Sequence, residues 1–178
     1  LVYTQSPNGV PLIDILDQTI SPMGTRLLNK WILLPLKDLK KVKERHQVVR
    51  YFMDNSSFTE SITEQIKSIG DLERLIAKVP MNKINPREVM QLCKALHAIE
   101  PIKKHLSTTD NHQLQVIADE LLLCEPLQER IDRELQENPP VKLDKGAVIA
   151  DGVSSELDEL RDIINNSKDH LLSIQQSE

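Results

Sequence analysis

Apolar residues return every three or four positions through most of this sequence, and the stripes are cut short by capping and breaking residues. Ser21-Pro22 opens one stripe and Pro35 stops it; Gly70-Asp71 separates two more, and Asn85-Pro86 opens another. Ser, Asp and Asn accept hydrogen bonds from the free N–H groups of a first turn, where proline gives up nothing. Such punctuation calls for a series of helices of a few turns each, not for strands, which would alternate in twos. Aromatics make up only 3% of the chain and glycines number five, which also favours helix. The expected fold is all-α, with a multi-helix core over residues 1–152 and a long C-terminal helix over 153–178.

Helices are expected at 12–16, 21–34, 37–53, 59–69, 71–79, 85–99, 112–123 and 126–136. Ser6-Pro7-Asn8-Gly9 has turn chemistry before the first of them. Pro101 should kink or end its helix, although Ile102 and Leu106 continue the stripe. The expected buried faces are Leu39, Val42, Val49 and Phe52 on the third helix, and Leu127, Ile131 and Leu135 on the last before the break. Residues 141–152 differ in kind, with β-branched clusters between two glycines. A surface crossover loop and a short hairpin both fit them. Beyond Ser154 no proline or glycine occurs, and Leu157, Leu160, Ile164, Leu171, Leu172 and Ile174 keep a helical stripe. Such a helix runs about 36 Å.

The formal net charge is −5, so the surface as a whole does not attract nucleic acid. A basic run, Lys37, Lys40, Lys41, Lys43, Arg45 and Arg50, stands against acidic residues 117–137. Either a solvated helix face or a phosphate-binding face accounts for it. No apolar run reaches membrane-spanning length. Two cysteines, Cys93 and Cys124, read as free thiols of a reducing compartment. The chain begins with Leu and ends within a helical pattern, as expected of a piece of a longer polypeptide.

The sequence lacks the motifs of an independent active site. It has no Gly-rich phosphate loop with Lys, no His-Glu-x-x-His and no Gly-x-Ser-x-Gly. Cys93 and His97 share a helix face at i, i+4, but no second pair completes a metal-ligand pattern, so a satisfied or exposed histidine is expected. His105 and His112 are expected to face solvent.

Four stretches resemble the core, or lever, domain of the MutS mismatch-repair family. They are Ser21-Pro22-Met23-Gly24-Thr25-Arg26-Leu27-Leu28 with Trp31 and Pro35-Leu36, Ile69-Gly70-Asp71-Leu72-Glu73-Arg74-Leu75, Ile84-Asn85-Pro86-Arg87-Glu88, and Gly146 to Gly152 followed by Glu156 to Arg161. The resemblance covers essentially the whole chain. It implies the first segment of the core domain, with the long helix projecting toward a clamp domain absent from this sequence. The family's mismatch-reading Phe-x-Glu motif and its ATPase have no matching positions here, so no cofactor or catalytic residue is implied for this chain. The parent is implied to use ATP and Mg, and to be a cytoplasmic bacterial homodimer, nucleoid-associated when acting on DNA. It is implied to hold mismatched duplex DNA through other domains and to work with a MutL-type factor.

Structural and transmission roles fall on ten residues. Met23, Leu27 and Trp31, with Ile32, are expected as core packing, Trp31 being the central post. Arg26 is expected to brace a neighbouring helix. Gly24 either permits close helix approach or fills a tolerated first-turn position. Gly146 and Gly152 are expected turn residues, and Gly152 is either a pivot or a passive turn beneath the long helix. Leu157, Leu160 and Arg161 belong to that helix. Two other readings stand beside the lever: a free-standing helical interaction scaffold, and nucleic-acid binding by the basic helix.

Overall fold

Most helices begin where the sequence supplies a cap. The structure, a computed structural model, describes residues 8–176, leaving out the side chains of Lys145 and of residues beyond 167. Its ten α-helices are α1 (Leu12–Leu16), α2 (Pro22–Leu33), α3 (Leu39–Asp54), α4 (Ser56–Ile69), α5 (Leu72–Lys78), α6 (Pro86–His97), α7 (Ile99–Ser107), α8 (His112–Glu120), α9 (Glu125–Glu134) and α10 (Ser155–Gln176). Side chains of Ser21, Asp38, Asp71, Asn85 and Asn111 each accept a first-turn N–H. At α6 the cap is reciprocal, because Glu88 also accepts the backbone N–H of Asn85, at 3.1 Å. The expectations on Ser6-Pro7 and on the side chains of Leu171, Leu172 and Ile174 lie outside the described residues.

Two small cores hold the body together. Ile62 of α4, Ile102 and Leu106 of α7, and Leu114 and Ala118 of α8 form the first, with Val48, Tyr51 and Phe52 of α3 packed against them. Met90 and Cys93 of α6 and Ile131 of α9 form the second. Helix α6 serves both sides, since it packs against α4, α5, α7 and α9. A small side chain helps: Ala95 of α6 is nearly fully buried.

Proline placement explains the α6–α7 join. Pro101 cannot donate a backbone hydrogen bond and its ring crowds the preceding turn, so the break falls at Ala98 and Pro101 sits in the first turn of α7. The residues from 141 to 152 run mostly over the surface, as a crossover loop would, and do not form a hairpin of their own. They hold a short 3₁₀ turn, Leu143–Lys145, and then return to pair with the end of α9 through one antiparallel bridge, Leu135–Ile149. Pro139 and Val148 are buried beneath this return.

Helix α2 departs most from expectation. None of its residues is fully buried; Trp31 is 39% exposed and Leu27 49%, and Leu33 and Leu34 are more exposed still. Met23 and Ile32 are half-buried. Trp31 is therefore not the central post, which is α6. Helix α2 carries more apolar side chains than its neighbours cover, and one of its contacts with the body is at Trp31. There the Arg45 guanidinium of α3 lies 3.6 Å from the centre of the Trp31 ring. On α3 the buried face is likewise rotated from the expected one: Val48, Tyr51 and Phe52 face the core while Leu39 and Val49 are exposed. On α9, Gln128 is buried in place of the expected Leu127. His105 is half-buried rather than solvent-facing, and its Nδ1 has no hydrogen-bond partner among the described residues.

Truncation separates the two claims about the core. Leu114→Ala, inside the first core, should lower unfolding free energy by about 2–5 kcal/mol. Trp31→Ala should cost only about 1–2 kcal/mol, since part of its ring is already in water. Urea unfolding of both variants measures the difference.

Candidate functional site: the anchorage of the long helix

Helix α10 is tied to the body by polar bonds. At its start, Ser154 Oγ accepts from Leu157 N at 3.3 Å, and Glu156 and Asp158 place negative charge in the first turn, where the helix dipole favours it. Asp158 Oδ2 also accepts from Gly152 N at 2.8 Å, tying the turn to the helix it precedes. Gly152 has φ +82°, a conformation that a side chain would strain.

Arg161 makes the longer reach. Its Nη2 donates to the Ile149 carbonyl at 2.8 Å, and its Nη1 pairs with Asp151 at 2.6 Å and Asp158 at 3.3 Å. The segment it grips is itself bonded to α9. Gln136 N donates to the Val148 carbonyl and Ala150 N to the Glu134 carbonyl, both at 2.9 Å. An unbroken strap of main-chain and guanidinium bonds thus runs from the end of α9, through residues 148–151, to the second turn of α10. Gly146, with φ +66°, and Ala147, with φ +53°, turn the chain into the strap. Leu157 is half-buried, whereas Leu160, Ile163 and Ile164 are exposed along the helix.

Arg26 makes a second polar joint. Its Nη1 and Nη2 grip both oxygens of Asp71 at 3.1 and 2.7 Å, and its Nε donates to Glu73 at 2.8 Å. Asp71 is also the cap of α5, so Arg26 fastens α2 to the first turn of α5. Gly24 answers a different need from the helix approach considered for it: a Cβ would come within 3.2 Å of Ser21 Oγ and of Thr19 in the preceding loop. Among the basic residues, Arg45 is half-buried on Trp31, while Lys37, Lys40, Lys41, Lys43 and Arg50 are exposed.

The structure also brings together a group the sequence left incomplete. Cys93 Sγ donates to Asp132 Oδ1 at 3.3 Å, and His97 Nε2 lies 2.7 Å from Asp132 Oδ2. Burial, and then the neighbouring carboxylate, push the Cys93 thiol up to about 11. The contact with His97, and then the thiol, hold Asp132 below the usual carboxylate range. Nothing in the sequence of α9 marks Asp132; only the α6–α9 packing brings it to Cys93. Cys124 is exposed.

The Arg26 fork, followed by the Arg74 backbone N–H, also holds Asp71 below its ordinary range. A depressed carboxyl stabilises the fold above its unfolded value and loses that effect as pH falls through the folded one. The stability difference between the parent chain and Arg26→Gln should therefore be constant from about pH 5 to 8 and narrow below about pH 4. Urea titrations across that range measure it.

The sequence profile of MutS domain III matches residues 3–177. Aligned over all 178 residues, the chain is 49% identical to the DNA mismatch repair protein MutS of Phocaeicola vulgatus, 47% to that of Bacteroides fragilis and 48% to that of Bacteroides thetaiotaomicron. Every residue of the chain is covered, but only 20%, 21% and 21% of those proteins. The chain thus spans about a fifth of the length of the relatives it matches. Its described residues form an all-α fold, and the chain belongs to the MutS domain III family.

Proposed function

We propose that this chain is the non-catalytic lever segment of a mismatch-repair ATPase, passing conformational change between an ATPase and DNA-holding parts elsewhere in the polypeptide. Residues 1–152 serve as the hub and 153–178 as the arm. The relatives' shared name, DNA mismatch repair protein, supports the setting. In that setting the longer protein uses ATP and Mg, acts as a homodimer on mismatched duplex DNA, and engages a MutL-type factor. No described helix is long and apolar enough to cross a membrane.

The observation that carries the reading is the strap. A helix of 22 residues is about 33 Å long, so a small rotation at its base becomes a displacement of several ångströms at its tip. That lever works only if the base is fixed to the hub, and Arg161, Asp158, Gly152 and the 148–151 segment fix it. The exposed Leu160, Ile163 and Ile164 also support the reading. An arm meant to lie beside another helix carries such a face, whereas a scaffold built to stand alone buries it.

Arg161→Ala and Gly152→Ala, made in the longer protein, test the transmission. Mismatch binding and ATP hydrolysis should each persist, while ATP-triggered release from a mismatch slows by roughly fivefold or more. Normal release in both variants refutes the lever. Light scattering on the 178-residue chain tests the exposed face: the lever reading expects concentration-dependent self-association that Leu160→Lys abolishes, and a clean monomer favours the scaffold.

A further inference from the structure

The second core carries a group of side chains that its packing role does not require. Cys93 and His97 lie one turn apart on α6, and Asp132 of α9 reaches between them. Their ligand atoms all lie within 4.8 Å of one another. Among the described residues this is the one trio of histidine, cysteine and carboxylate groups gathered so closely. We propose that Cys93, His97 and Asp132 form a binding site for a zinc-class divalent cation, with solvent supplying the fourth ligand.

Geometry, donor type and access all support the assignment. Tetrahedral zinc, at about 2.3 Å from sulfur and about 2.0–2.2 Å from nitrogen and oxygen, sets its ligands about 3.3–3.8 Å apart. Cys93 Sγ and Asp132 Oδ1 are already 3.3 Å apart. His97 Nε2 and Asp132 Oδ2, at 2.7 Å, need to part by less than about 1 Å, which half-exposed side chains do without moving either helix. One thiolate, one imidazole and one carboxylate form a donor set suited to zinc or cobalt and poorly suited to calcium or magnesium.

Burial divides the trio usefully. The sulfur side is closed, because Cys93 is 1% exposed. The side chains of His97 and Asp132 are 48% and 47% exposed, leaving a path for the ion and a position for water. Binding exchanges the thiol proton for the metal: the S–H bond breaks, the sulfur–metal bond forms, and the proton leaves to solvent. The dication neutralises a thiolate that would otherwise be buried beside a carboxylate. Because the three ligands come from α6 and α9, the ion would cross-link the helix that joins both cores to the helix that carries the strap. The inference stands on these side chains alone and does not depend on the lever reading.

Cobalt is the probe, since a cobalt–thiolate bond is visible. The protein, stripped with chelator and kept reduced, should bind one equivalent of Co²⁺. A thiolate charge-transfer band should appear in the near ultraviolet, with tetrahedral bands in the visible, and Zn²⁺ should bleach both. Cys93→Ser should abolish the charge-transfer band; His97→Gln and Asp132→Asn should weaken binding roughly tenfold or more. Cys124→Ala should leave the spectrum unchanged. Asp132→Asn keeps the shape and the acceptor facing Cys93, so it guards against a Cys93 variant that fails to fold. Zn²⁺ should also raise the melting temperature of the parent chain but not of Asp132→Asn. Three results overturn the site: no thiolate band at one equivalent of cobalt, a band that survives Cys93→Ser, or a band lost in Cys124→Ala.

Discussion

Everything in this fold leans on α6. It is the one helix in contact with α4, α5, α7 and α9 together, and Met90, Leu92, Cys93, Ala95 and Leu96 along it are buried. Its first N–H groups have no partner within the helix and need one nearby. The reciprocal cap of Asn85 and Glu88 supplies one at the N-terminus, and Lys78 of α5 binds the same Glu88 carboxylate. Lys78, followed by the Asn85 N–H, holds Glu88 below the usual carboxylate range. One side chain therefore caps α6 and ties it to the helix before it.

The remainder of the molecule is fastened from that centre by two unlike means. Around α6 the contacts are mostly apolar packing, and the edge-on pair of Tyr51 and Phe58 joins α3 to α4 beside it. Farther from α6 the fastenings include arginine forks: Arg26 onto α5 for α2, and Arg161 onto the 149–151 segment for α10. Both peripheral helices keep broad apolar surfaces in water, Trp31, Leu33 and Leu34 on one and Leu160, Ile163 and Ile164 on the other.

The elements could be read from the sequence almost completely, because helix starts and stops are local chemistry. Ser21, Asp71 and Asn85 cap where they were expected to, and Gly70 takes positive φ after α4. The packing could be read less well. Counting apolar residues pointed to α2 as the centre, yet α2 is peripheral, because a large apolar residue reports that a face needs covering and not what covers it. The small residue Ala95 marks the true centre, and it carries little signal in a hydropathy pattern. Arg26 stood out in the sequence, but its partners Asp71 and Glu73 lie 45 and 47 positions away. The strap could not be foreseen, since its register depends on where residues 135 and 149 meet in space.

Joints made of hydrogen bonds differ in kind from joints made of packed methyls. Apolar packing has no preferred direction and lets one helix slide or roll on another, whereas a hydrogen bond weakens steeply when bent. The Arg161 fork is planar and reaches two carboxylates and a carbonyl at once. It therefore resists rolling of α10 about its own axis as well as tilting. The orientation of α10 about its own axis is thus fixed together with its tilt.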